Sequence, residues 1–290
     1  MFARRRSSSS TPRDCVVVLG MHRSGTSALA GTLSLLGVDF GSGLIGANSG
    51  NPRGHFELAA AVELNDILLR RTFSSRWKES FHLPANWQDK IDLQRLAAAR
   101  SLELPSGQPC GIKDPRMCRL VPVWLELLAI RNLRPRFIIA LRPPAEVAAS
   151  LETRDGLSKT LSQTLWLEHL ATAERDTREY PRTFITMEAL LGDTEAAVLR
   201  LTRFLDLPGP NSSQFQSLSE FLDTGLRHHN RSTSESATSI SPLEDVHNLL
   251  TLVASETIPD DQIFRSQIDQ LMRTVTAADS QCLSGPFADR

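Results

Sequence analysis

The stretch VVVLGMHRSGTSALAGTLSLLGV, residues 16–38, constrains the fold more than any other part of the chain. Val16, Val17, Val18 and Leu19 are continuously apolar, the pattern of a short strand buried on both faces. Gly20 ends that run, and Gly25 follows after four residues. Small and apolar residues then recur at helical spacing. Strand, glycine-bounded loop and helix form the frame of the phosphate-loop pattern G-x-x-x-x-G-K-[ST]. The pattern's lysine is replaced by Thr26, followed by Ser27. The bland alternative is a plain strand–helix turn with incidental glycines. The agreement of frame, strand and helix argues against it.

Such a turn opens a helix with several unpaired backbone N–H groups. The helix dipole adds partial positive charge there, so the loop favours an anion even without its lysine. Arg23 returns one positive charge inside the loop, and Ser24, Thr26 and Ser27 add hydroxyls. The loss of lysine removes the charge that manages a triphosphate. The anion expected is therefore smaller than a magnesium triphosphate. A second constellation lies in IIALRPPAEVAASLETR. Arg142 leaves the carboxyl end of a strand, the edge where open α/β sheets bind ligands. Ser150 follows eight residues later, about two helical turns on. The pair would converge on a second phosphate.

The remaining chain alternates strand and helix, with helices expected over 58–71, 88–102, 120–130, 143–154, 160–179 and 194–207. Strands are expected over 109–113, 136–142 and 182–187. That order implies an α/β class: a P-loop-like three-layer fold, a central parallel sheet with helices on both faces and a helical C-terminal part. Residues 1–14 are read as a disordered basic, Ser-rich tail, 15–226 as the α/β core and 227–242 as a flexible loop. Residues 243–290 are read as a helical appendage of the same domain. The 290 residues carry a net charge of −1, which gives no pull toward nucleic acid or an anionic membrane. No apolar run nears the roughly 20 residues of a membrane span. Cys15, Cys110, Cys118 and Cys282 lie far apart and form no C-x-x-C pair, so neither zinc nor a disulfide framework is expected, and a reduced, cytoplasmic compartment fits.

The loop HRSGTSAL and the Arg142-to-Ser150 spacing together resemble the sulfotransferase family that uses 3′-phosphoadenosine 5′-phosphosulfate (PAPS). NPRGHFE and IKDPR are similar to its bacterial branch. The resemblance spans roughly residues 16–205. It implies transfer of a sulfuryl group from PAPS to a hydroxyl or amine, with no metal. It accounts for the missing lysine, because this donor has no γ-phosphate. It implies that Gly20, His22, Arg23, Ser24, Gly25, Thr26 and Ser27 bind the 5′-phosphosulfate, and Arg142 and Ser150 the 3′-phosphate. Lys113 matches a sulfate-contacting lysine, although a strand-end lysine is often only a surface cation. The acceptor's base is Glu57, His55 or Asp114, with Glu57 favoured by the branch resemblance. Arg116 would contact sulfate or acceptor. Arg227, His228, His229 and Arg231 would belong to a gate over the nucleotide. A carbohydrate, glycolipid or small metabolite is the acceptor expected, and a homodimer is an open expectation. Trp77, Trp87 and Trp166 are either acceptor-stacking rings or core. The rival classes are a P-loop small-molecule kinase and a non-catalytic nucleotide-binding module. The kinase reading needs Asp114 as its magnesium ligand.

Overall fold

A computed structural model describes residues 11–48, 51–72, 74–80, 83–91, 104–107, 109–222 and 242–283. Four parallel strands form one sheet: β1 (Arg13–Leu19), β2 (Cys110–Lys113), β3 (Leu133–Leu141) and β4 (Arg182–Thr186), in the order β2-β1-β3-β4. Val16 to Leu19 are completely buried, as expected of a central parallel strand covered on both faces. Strand β1 begins at Arg13, inside the stretch expected to be a tail. Strand β3 begins at Leu133, earlier than the apolar run alone suggests.

Alternation along the strands divides the core in two. Val16, Val18, Ile138, Ala140 and Ile185 face one layer. That layer holds α1 (Thr26–Leu35), α6 (Met187–Gly192) and α7 (Thr194–Leu205). Cys15, Val17, Leu19, Ile112, Phe137, Ile139 and Phe184 face the other. Here lie α2 (Ala59–Ile67), α3 (Val121–Ile130), α4 (Pro144–Asp155) and α5 (Lys159–Asp176). The fold is thus a parallel sheet between two helical layers, as the sequence implies.

Helix α8 (Ser212–Phe221) was not anticipated, although Asn211 and Gln214 close a capping box at its start. Helices α9 (Pro242–Ala254) and α10 (Gln262–Leu283) add Val246, Leu250, Phe264 and Ile268 to the larger core. Charge fastens them as well. Arg182, 2% exposed, pairs with Glu174 at 3.0 Å and Asp260 at 2.6 Å, and Arg178 bridges Glu174 and Asp269. Between Trp87 and Lys90 there is one 3₁₀ turn; the rest of the helix expected over 88–102 lies largely outside the described residues.

Candidate functional site

The carboxyl ends of the strands gather the functional residues on one edge. β1 runs into the loop of Gly20 to Gly25, β2 ends at Lys113, and Arg142 follows β3. Gly20 has φ +144° and packs so closely on Ala140 that a Cβ would lie 2.9 Å from its carbonyl oxygen. Gly25 has φ +83°, and a Cβ there would meet the Met187 sulfur at 1.8 Å. Both positions therefore require glycine. Arg23 takes a left-handed φ of 69°, a strained choice for a long side chain. Gly25 caps α1 with backbone alone, no side chain serving its first turn. The Ser24 hydroxyl is buried without a hydrogen-bond partner. The Gly20 amide donates to the Cys118 sulfur at 3.0 Å, an anchor for the loop that the sequence did not single out.

Lys113 is the hub. It is 2% exposed, so the surface-cation reading fails. Its ammonium donates to Glu57 Oε1 at 2.6 Å, to Ser27 Oγ at 2.9 Å and to the His55 carbonyl at 3.1 Å. Burial pushes the ammonium's pKa down, and the Glu57 carboxylate opposes that. The geometry ties β2, the first turn of α1 and the 55–57 segment to one nitrogen. A cation stands beside the phosphate-loop helix after all, carried by the neighbouring strand rather than by position 26.

The three carboxylate and histidine candidates are separated by their surroundings. Glu57 holds the ion pair with Lys113. His55 lends its carbonyl to Lys113, while its ring contacts Asn48 at 2.9 Å. Burial pushes the His55 ring's pKa down. Asp114 is completely buried; one oxygen accepts from Asn65 at 2.8 Å, the other from the Arg116 amide and guanidinium at 3.0 Å each. Trp124 fixes Asn65 in turn at 2.8 Å. Asp114 thus caps the turn Pro115–Arg119 and aims Arg116, which also pairs with Asp66.

Arg142 and Ser150 lie on the same side of the loop and share a neighbour. Both bond to Arg23. Arg23 Nε donates to Ser150 Oγ at 2.8 Å, and Arg142 Nη1 donates to the Arg23 carbonyl at 3.0 Å. Arg142 also pairs with Glu146 at 2.8 Å, an i, i+4 acid whose place was visible in the sequence. Burial lowers the Arg23 guanidinium's pKa, and Arg154 and Arg142 lower it further. Beyond Arg142 lies a cavity of about 480 Å³, lined by Glu146, Thr186, Met187, His247 and Thr251 among others.

The His22 side chain leaves the loop for the core, where its ring lies 4.1 Å from Trp77 and 6.3 Å from His169. Burial pushes its pKa well down, with Arg116 the next cause. Lys78 and Arg154 stand over the Trp77 ring, at 5.1 and 5.7 Å from its centroid. Trp87 and Trp166 are core residues at 6% and 0% exposure, so neither offers a stacking face. Arg227, His228, His229 and Arg231 lie outside the described residues.

No protein-family model matches the sequence, and no curated protein does. The solved structures that this chain resembles include two sulfotransferase domains. A sulfotransferase domain from the Synechococcus PCC 7002 olefin synthase gives a TM-score of 0.45 at 14% identity, over 89% of this chain and 100% of its own. A sulfotransferase domain from the curacin biosynthetic pathway gives 0.45 at 14%, over 86% and 98%. Likeness of that degree carries no chemistry to this chain. Among the described residues, no helix is long and apolar enough to cross a membrane.

Proposed function

We propose that the chain is a cytoplasmic sulfotransferase that moves a sulfuryl group from PAPS to a hydroxyl or amine of an acceptor. The observation that carries this reading is the Lys113 hub: a buried cation within 2.9 Å of the loop-helix hydroxyl Ser27 and 2.6 Å of a carboxylate. It sets a positive charge and a proton acceptor at the opening of one anion-binding helix. The residues fit the nucleotide. The Ser24 hydroxyl is buried and unpartnered, and α1 opens without a side-chain cap. PAPS supplies the activated sulfuryl group; its leaving phosphate is the anion that the Gly20–Ser27 amides, Arg23 and Thr26 would stabilise. Arg142 and Ser150 would take the 3′-phosphate, exchanging their bonds to Arg23 for charge-assisted ones. The cavity beyond Arg142 offers room for the nucleoside.

Glu57 is the base in this reading. Lys113 holds its carboxylate in place at 2.6 Å. His55 and Asp114 serve as positioning groups, Asp114 through Arg116. The kinase reading loses its magnesium ligand, because both Asp114 oxygens are engaged inside the protein. The acceptor class, a carbohydrate, glycolipid or small metabolite, is tested by mass spectrometry of lipid and glycan fractions from cells with and without the protein. Products heavier by one SO₃ unit that need an intact Glu57 support the reading. Identical fractions with the protein abundant count against it.

A further inference from the structure

Cys15 and Cys110, 95 positions apart in the chain, are register partners on β1 and β2. Their side chains enter the same core layer. Neighbouring strands run about 4.8 Å apart, inside the Cα window of roughly 4.4–6.8 Å that a disulfide needs. Both thiols are free, and the Cys110 thiol donates to the Asp14 carbonyl at 3.6 Å. We infer that Cys15 and Cys110 are a redox pair, which a hydroperoxide closes into a cross-strand disulfide tying the edge strand to β1.

The order of steps follows from the surroundings. β2 has four residues and begins at Cys110, bridged on its outer side by Asp39, so Cys110 opens when that short strand end frays. The neighbouring Cys15 thiol lowers the Cys110 pKa, burial opposes that, and the Arg13 charge lowers it further. Cys15, fully buried, is held well up. Cys110 is therefore the attacking thiolate. It takes one oxygen from the peroxide to become a sulfenic acid, and the peroxide's other oxygen leaves as hydroxide. The Cys15 sulfur then displaces that oxygen as water, forming the S–S bond. In all, two thiols and one hydrogen peroxide give one disulfide and two waters. Cys118 stays out of the exchange, bonded to the Gly20 amide and pushed up to about 12 by burial. The bridge lies three residues before Lys113, which pairs in register with Val18. Oxidation thus clamps the strand that carries the site's buried cation.

The test is peptide mapping of the full chain after treatment with hydrogen peroxide under native conditions, with circular dichroism confirming the fold. The expected product is one cross-linked peptide joining Cys15 to Cys110, lost on adding dithiothreitol. A folded protein whose two cysteines stay alkylatable after unfolding, or in which either pairs with Cys118 or Cys282, overturns the inference. So does Cys110 running on to sulfinic acid without a bridge. In Cys15→Ser the sulfenic acid should persist and be trapped by dimedone at Cys110. No adduct in the folded variant would contradict the order of steps, and wild-type mapping decides the case if the variant does not fold.

Discussion

Replacing Lys113 by methionine keeps most of its volume and deletes its charge. Glu57, whose side chain is 9% exposed, is then left as a buried carboxylate without its 2.6 Å partner. Breaking a buried pair from one side costs about 3–5 kcal/mol. Removing both charges, in Lys113→Met with Glu57→Leu, takes that term away. What remains are the donors lost by Ser27 Oγ and the His55 carbonyl, at about 1 kcal/mol each. Ser27 still donates to His55 at 3.3 Å, which softens the loss. The double variant should therefore lie about 1–2 kcal/mol below wild type, above the single variant. Urea titrations and thermal melts read the difference. At about 2–4 °C per kcal/mol for large domains, the single variant should melt roughly 10 °C low. A Lys113→Met protein within about 1 kcal/mol of wild type, or a double variant no better than the single, refutes the hub.

Glu57→Gln should cut turnover by about 10²–10⁴-fold while leaving nucleotide affinity in place; His55→Asn, run beside it, should not. Steady-state kinetics at saturating PAPS separates the two. Arg142→Ala should raise the apparent KM for PAPS by one to two decades, at about 1.4 kcal/mol per decade, with Ser150→Ala doing less. An unchanged KM in a folded Arg142 variant places the 3′-phosphate elsewhere. His169 has its pKa lowered to about 3 by burial, and His22 is lowered as well. The unfolded chain binds their protons first, so stability falls as pH drops below about 6.5, by about 1.4 kcal/mol per pH unit for each ring. His169→Gln should flatten that slope in urea midpoints measured across the range.

The parts of the site that were legible in the sequence are those set by local rules. The β1 strand, its glycine loop and α1 follow from an uninterrupted apolar run and two glycines that no other residue can replace. The strand-end places of Lys113 and Arg142 follow from β2 and β3 preceding them. What was hidden depends on partners distant in the chain. Buried Lys113 finds its carboxylate partner in Glu57, 56 residues earlier. Arg142 and Ser150 have the right spacing, yet Arg23 reaches in from 127 residues away and takes the serine. Cys15 and Cys110 look unrelated until strand register sets them side by side. His22, inside the loop motif, turns into the core because Trp77 and His169 offer its ring a place there. Such contacts are decided by packing and register, which one-dimensional periodicity does not encode.

In the proposed function, the loop of Gly20 to Ser27 binds a nucleotide without lysine and without metal. Isothermal titration of the full chain with 3′-phosphoadenosine 5′-phosphate, in EDTA and in magnesium, against ATP with magnesium, tests it most directly. Binding of 3′-phosphoadenosine 5′-phosphate should have the same affinity in both buffers, with ATP at least ten times weaker, about 1.4 kcal/mol or more. Binding that needs magnesium, or a preference for magnesium ATP, would contradict it.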